Sequence, residues 1–85
     1  MSEVQKISAL DRVRRIVAEV LEIDAELVEA DASFYDDLAA DSLEKVEIAV
    51  RVEREFDISV SPDEAAAMTS PAAVLALLRD KGKAA

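Results

Sequence analysis

Hydrophobic residues recur at helical spacing along the first quarter of the chain, between Ser8 and about Glu22. The members of this stripe are Leu10, Val13, Ile16, Val17, Val20 and Leu21. Positions three and four residues apart lie on one face of an α-helix, so the stripe predicts an amphipathic first helix. We expect the stripe to pack in the core and the three arginines, Arg12, Arg14 and Arg15, to lie largely off it in solvent.

A second helix is predicted from Ser42 to about Phe56, and it carries two apolar stripes. The stripe that we expect to face the core is Ile48, Ala49, Val52 and Phe56. The other stripe consists of Leu43, Val46 and Val50 and lies nearer the side from which Ser42 projects. It either packs under the preceding loop or forms a partly exposed strip, rimmed by carboxylates, that docks a partner. Both can hold at once.

Two Ser-Pro pairs mark the remaining helices. Ser61-Pro62-Asp63-Glu64 reads as a capping box with proline at the first helical position, and it opens a short third helix that ends near Met68. Ser70 caps a fourth helix, which Gly82 ends. Its expected core residues are Val74, Leu75, Leu77 and Leu78. The prediction is an all-α, small four-helix bundle, a single domain over 1–85, with fraying at 1–7 and 82–85.

The connection from Ile23 to Ala40 is acidic and longer than most links between helices. Loops of this length tend to be functional or disordered. Four apolar residues, Leu27, Val28, Phe34 and Leu38, are its expected anchors in the core, and a short turn is expected at 31–34. Anchors at both ends favour a functional loop.

Capping chemistry singles out Ser42. If Asp41 is the N-cap of the second helix, Glu44 falls at the third helical position and completes a capping box, whereas a Ser42 cap would place Lys45 there. The Ser42 hydroxyl is then not used for capping and lies beside unpaired backbone N–H groups. A phosphate on that oxygen would sit at the positive end of the helix dipole. Ser42 is therefore a candidate for attachment of a group through a phosphate.

The chain contains no histidine and no cysteine. A catalytic serine needs a base, and Lys45, on a surface helix, is expected to stay charged and to serve poorly. We therefore expect no catalytic residue, no metal site and no disulfide, and a modification of Ser42 made by another enzyme.

The net charge is −9, which argues against binding nucleic acid or an anionic membrane surface. Such charge serves either plain solubility or contact with basic partner surfaces. From Asp31 to Glu64 the chain has eleven acidic and three basic residues, so the acid surrounds Ser42 and favours partner contact. No signal peptide or membrane-spanning run is recognisable, and a cytoplasmic monomer is expected.

The segment from Leu38 to Glu47, with Asp41-Ser42-Leu43 at its centre, resembles the modification site of acyl carrier proteins. The resemblance extends from the first helix to Leu78. Further matching motifs are Ala32-Ser33-Phe34, Asp36-Asp37-Leu38, Glu53, Glu55-Phe56-Asp57 and Pro62-Asp63-Glu64-Ala65.

This resemblance implies that Ser42, flanked by Asp41 and Leu43, carries 4′-phosphopantetheine, whose thiol holds an acyl group as a thioester. It implies docking to basic patches on a phosphopantetheinyl transferase, acyltransferases and ketosynthases. The implied docking residues are Asp36, Asp37, Glu44, Val46, Glu47, Val50 and Glu53. An acyl chain is expected between the second and third helices, lined by Val46, Val50, Ala67 and Met68, although Met68 also reads as ordinary core.

Two departures from the family pattern bear on the pathway. Fatty-acid carriers usually have glycine where this chain has Ala39, and their second helix is more uniformly acidic, whereas here Lys45, Arg51 and Arg54 interrupt it. Fatty acid synthesis and polyketide or other secondary-metabolite pathways both stay open. Two alternatives to an acyl carrier are a peptidyl carrier and an unmodified helical adaptor.

Overall fold

The structure, a computed structural model, describes residues 7–83. Four α-helices lie in this part of the chain: α1 Ala9–Leu21, α2 Ser42–Phe56, α3 Pro62–Ala67 and α4 Pro71–Asp80. A short 3-10 helix, Ala25–Leu27, interrupts the long connection between α1 and α2. Within 7–83 there is no β-strand, so the predicted all-α bundle with a short third helix is confirmed. The fraying expected at 1–6 and 84–85 falls outside the described residues.

Each helix begins at the cap that the sequence predicts. Ser8 and Ser70 accept hydrogen bonds from the N–H groups of Asp11 and Ala73, both at 3.1 Å. Ser61 and Glu64 form a reciprocal capping box at the start of α3. A cap of this kind stabilises a helix by about 1 kcal/mol, so four correct caps define where all four helices start.

Three helices end at a residue with positive φ: Glu22 after α1, Asp57 after α2 and Gly82 after α4. In each case the following N–H donates back to a carbonyl of the last turn, and Lys83 N donates to Leu78 O at 2.8 Å. This is the Schellman pattern, which satisfies carbonyls that the helix itself leaves unpaired. Gly82 and Lys83 therefore complete the C-terminal cap of α4, and the fraying expected from residue 82 onward stays a prediction.

The core is built from α1, α2, α4, the long loop and the link between α3 and α4. Side chains with no exposed surface come from every one of these elements: Val13, Val17, Val28, Phe34, Ile48, Val52, Met68, Val74 and Leu78. The stripe assigned to the core side of α2 is buried as predicted. The prediction that Leu27 anchors the loop is wrong, because Leu27 is 60% exposed at the end of the 3-10 helix. Ala32 and Ala40 are buried instead, and Leu38 packs against the core at its edge.

Two arginines of α1 fasten other elements, contrary to the solvent-facing role expected of all three. Arg14 donates from Nε to Val28 O at 2.6 Å and from its terminal nitrogen to Ala25 O at 3.0 Å. Arg12 pairs with Glu55 at 2.8 Å and lies over the Phe56 ring at 4.4 Å. Long side chains of this type pack their stems on apolar neighbours while the charged end reaches a partner.

Backbone hydrogen bonds hold the long loop against the α3–α4 link. Phe34 N donates to Thr69 O at 2.9 Å, and Ala72 N donates to Ala30 O at 2.7 Å. The turns occupy 30–31 and 34–37, so the single turn expected at 31–34 is split in two. The loop therefore delivers the chain to the start of α2 along a path fixed by the core.

Ala39, three residues before Ser42, adopts φ 57°. The left-handed region brings Cβ close to the following carbonyl oxygen and costs a residue other than glycine about 1–2 kcal/mol. The neighbouring Ala40 is buried and its N–H donates to Phe34 O at 2.8 Å, so the surrounding contacts hold Ala39 in this conformation.

We predict that Ala39→Gly stabilises the protein by about 0.5–1 kcal/mol, because relief of the positive-φ strain exceeds the entropy that glycine adds to the unfolded chain. Denaturant unfolding followed by circular dichroism measures the change. The matched control is Ala76→Gly, at an exposed position inside α4, which should lose about 1 kcal/mol. Equal destabilisation by both substitutions would contradict the strain argument.

Candidate functional site

Ser42 is the first residue of α2, and its side chain is exposed. The cap is Asp41, whose Oδ1 accepts from Glu44 N at 2.7 Å, while Glu44 Oε1 accepts from Asp41 N at 3.0 Å. Among residues 7–83, no hydrogen bond involves the Ser42 hydroxyl. The predicted capping register is therefore confirmed, and the hydroxyl is open to solvent and to reagents.

The surroundings of Ser42 fit a phosphate ester. The first turn of a helix presents backbone N–H groups and the positive end of its dipole, which favour an anion. Asp41 already satisfies the N–H of Glu44, and the N–H groups of Ser42 and Leu43 have no partner within 7–83. A phosphoryl oxygen on Ser42 Oγ would lie beside these donors.

The second apolar stripe of α2 is not covered by the long loop. Leu43 is 79% exposed, Val46 58% and Val50 36%. The carboxylates assigned to docking lie on α2 and in the loop that precedes it: Asp36, Asp37, Glu44, Glu47 and Glu53. The stripe is therefore partly exposed, as the docking interpretation requires, and its use in docking stays a prediction.

Several of these carboxylates also have structural partners. Glu53 accepts from Val60 N at 2.7 Å and so fixes the link between α2 and α3. Asp37 accepts from Ser33 N at 2.8 Å and closes the turn of the loop. Glu47 lies 4.0 Å from Arg51, a weak surface pair. The sequence pattern did not reveal these roles, because each pairing depends on the path of a loop or on a rotamer.

A groove of about 170 Å³ lies between α2 and the segment that contains α3. Its lining residues are Lys45, Val46, Ala49, Val50, Glu53, Val60 and Ala65. Val46 and Val50 lie there, whereas Ala67 is exposed and Met68 is fully buried, and neither lines the groove. The reason is that α3 ends at Ala67, after which the chain turns Met68 into the core. The volume is similar to an apolar cavity of about 150 Å³ that holds benzene.

Lys45 differs most from expectation. It is only 7% exposed, its Nζ donates to Ala65 O at 2.8 Å, and it lies 5.7 Å from the centre of the Tyr35 ring. Burial lowers the pKa of Lys45 below its ordinary value, because desolvation penalises the ammonium. The amine nevertheless binds α3 and forms no hydrogen bond with Ser42. The helical spacing contained the signal, since Lys45 lies three and four residues before Ile48 and Ala49 on the buried face.

Glu64, at the start of α3, is held by several donors. Its pKa is lowered first by the hydrogen bond from the Ser61 backbone N–H and then by Lys81, which lies 3.1 Å away. Both interactions favour the ionised carboxylate. The bond from Ser61 belongs to the capping box of α3, and the pair with Lys81 connects α3 to the end of α4.

No helix within residues 7–83 is long and apolar enough to cross a lipid bilayer.

Residues 11–78 match the family model described as the phosphopantetheine attachment site. The acyl carrier protein of Bdellovibrio bacteriovorus is 41% identical over 73 residues, which cover 86% of this chain and 94% of that protein. The acyl carrier protein of Caulobacter vibrioides is 56% identical over 57 residues, covering 67% of this chain and 72% of that protein. The Buchnera aphidicola acyl carrier protein is 49% identical over 55 residues, covering 65% and 69%. Fold, site and similarity agree, and the chain belongs to the acyl carrier protein family, whose prosthetic group is phosphopantetheine.

Proposed function

We propose that Ser42 is the residue to which 4′-phosphopantetheine is attached, and that the protein carries acyl groups between biosynthetic enzymes. The prosthetic group supplies a thiol, which holds the acyl group as a thioester. The observation that carries this proposal is the exposed Ser42 hydroxyl at the start of α2, left without a hydrogen bond because Asp41 and Glu44 cap the helix between themselves.

The other helix starts provide a comparison within the same chain. The three remaining helices are capped by Ser8, Ser61 and Ser70, and each of these hydroxyls accepts a backbone N–H. In the described part of the chain, α2 is the helix that starts with an aspartate cap and keeps its serine free. Asp41 is thus proposed to act as the helix cap, so that the Ser42 hydroxyl is not needed for capping. The exposed Leu43 is proposed to offer an apolar contact to the modifying enzyme.

Docking is proposed to use the exposed stripe of α2 and the carboxylates around it. Basic patches on a phosphopantetheinyl transferase, on acyltransferases and on ketosynthases would complement this surface. Charge complementarity of this kind speeds the encounter and selects the partner more than it tightens the complex. Weak binding suits a carrier, because the carrier must leave each enzyme after a transfer.

Two of the cations that interrupt α2 have partners within the protein, which reduces their effect on docking. Lys45 is buried against α3, and Arg51 pairs with Glu19 of α1. Both present less positive charge to a partner than the sequence indicates. These cations therefore do not argue against fatty acid synthesis, and we propose either fatty acid or polyketide synthesis as the pathway.

We predict that co-expression with a phosphopantetheinyl transferase of broad specificity adds one prosthetic group to the wild type and none to Ser42→Ala. Intact-protein mass spectrometry measures the addition. The control is Ser59→Ala, at another exposed serine, which should be modified like the wild type. An unmodified wild type would favour the helical adaptor, and a modified Ser42→Ala would place the attachment elsewhere.

We predict that Glu47→Gln lowers kcat/KM of the transferase about threefold at low salt, since a rim charge contributes roughly 0.7 kcal/mol. The difference should shrink as NaCl screens the pair. Glu26→Gln, at an exposed position in the 3-10 helix, serves as the matched control and should leave kcat/KM unchanged. The docking surface is refuted if both variants behave alike or if the Glu47 effect ignores salt.

We propose that a short acyl chain enters the groove beside Val46 and Val50, and we predict that Val50→Phe fills it. Hexanoyl thioester on the wild type should react with hydroxylamine several times more slowly than acetyl thioester, and Val50→Phe should remove this protection. Ala67→Phe, outside the groove, should keep it. Equal loss of protection in both variants would mean that the acyl chain also contacts Ala67, as in the lining of Val46, Val50, Ala67 and Met68 expected from the sequence.

A further inference from the structure

An open cleft of about 320 Å³ lies between α1 and α2. Its lining is dominated by charged side chains: Arg12, Arg15 and Glu19 on α1, and Arg51, Arg54 and Glu55 on α2, with Ile16 at its base. Four of the chain's ten basic residues thus line one cleft of a protein whose net charge is −9. The cleft is therefore locally basic, whereas the rest of the protein is acidic.

Two ion pairs cross the cleft and hold its walls. Arg12 of α1 pairs with Glu55 of α2 at 2.8 Å, and Glu19 of α1 pairs with Arg51 of α2. These pairs use both carboxylates of the lining. Arg15 and Arg54, one on each wall, are exposed and form no ion pair with another residue of 7–83. The cleft therefore has a surplus of two positive charges.

We propose that this cleft binds a small, doubly charged oxyanion of the phosphate monoester or diphosphate class, with Arg15 and Arg54 as its ligands. A dianion balances the two guanidinium charges that the cleft leaves unmatched, whereas one carboxylate from a partner protein would balance only one. Guanidinium groups bind phosphate in a forked, bidentate geometry. The volume lies at the lower end of the range of about 300–1,000 Å³ seen for small-molecule sites.

The negative charge of the protein does not prevent this binding. Arg54 is twelve residues after Ser42, so it lies about 18 Å farther along α2 than the proposed attachment site and the carboxylates of Asp41 and Glu44. The screening length is about 8 Å at physiological ionic strength. Repulsion from the acidic end of α2 is therefore strongly reduced at the cleft, while direct contacts with the guanidinium groups are not.

The proposed site is separate from Ser42 and does not depend on its modification. An anion in the cleft would contact the side of α2 that faces α1, whereas Val46 and Val50 of the docking stripe line the groove beside α3. The two surfaces can be occupied at the same time.

The test is a titration of the unmodified ¹⁵N-labelled protein with sodium pyrophosphate, at an ionic strength held constant with NaCl. We expect saturable shifts of amides near Arg15 and Arg54. Arg15→Gln and Arg54→Gln, which keep most of the aliphatic stem, should each weaken binding about tenfold or more, because each removes a charge-assisted contact. Arg79→Gln is the matched control, since Arg79 is exposed in α4 and has no ion pair within 7–83, and it should bind like the wild type.

Two results would overturn the proposal. Shifts that never saturate, or that are equally large around Arg79, would mean that pyrophosphate only screens surface charge. Binding of a hexaglutamate peptide to the cleft without binding of pyrophosphate would assign the cleft to carboxylates of a partner protein. The fold of each variant is verified from its own ¹⁵N spectrum before titration, so an unfolded variant cannot imitate lost binding.

Discussion

The reciprocal hydrogen bonds between Asp41 and Glu44 are the interaction on which the site depends. A helix start needs an acceptor for its first N–H groups, and in this chain the usual acceptor is a serine hydroxyl. At α2 the Asp41 carboxylate takes over that role and accepts from Glu44 N at 2.7 Å, while the Glu44 carboxylate accepts from Asp41 N at 3.0 Å. The adjacent Ser42 can then occupy the first helical position, where the dipole favours an anion, without giving up its oxygen.

The long loop gives this cap its fixed position. Its backbone bonds to the α3–α4 link and the buried Phe34 leave little freedom to the residues that follow. The positive φ of Ala39 is a consequence, because the chain must turn sharply there to present Asp41 to the first turn of α2. A residue other than glycine persists in that conformation only where its neighbours determine it. The anchored loop therefore positions the Asp41 cap, and the cap in turn leaves the Ser42 hydroxyl free.

Local signals allowed most of the fold to be predicted from the sequence. Caps, the proline at the first helical position and the apolar period depend on residues within a few positions of one another, and they gave the starts of all four helices and the core stripe of α2. Lys45 and Arg14 were misplaced for a different reason. Each is long enough to reach another element, and its carbonyl partner, Ala65 or Val28, is chosen by tertiary packing.

Of the predicted groove lining, Val46 and Val50 lie in the groove, whereas Ala67 and Met68 were misplaced for a related reason. Met68 follows the last residue of a helix of only six residues, so a shift of one residue in the helix end decides whether that side chain points into the groove or into the core. The hydropathy of Met68 suits an apolar groove and an apolar core equally, so it does not distinguish between them. Apolar side chains near the ends of short helices therefore need a structure before they are assigned to a surface.

For docking, the side of α2 on which each charged side chain lies matters more than the net charge of the helix. Counted along the helix, the basic residues dilute the acidic ones, and the helix departs from the uniformly acidic pattern of fatty-acid carriers. In the fold, the Lys45 amine is buried against α3 and Arg51 pairs with Glu19 of α1, so neither residue offers a free positive charge beside the stripe of Leu43 and Val46. An incoming enzyme would meet mainly carboxylates around that stripe. The same helix can therefore be acidic toward a partner and basic toward the cleft with α1, because its successive residues face different neighbours.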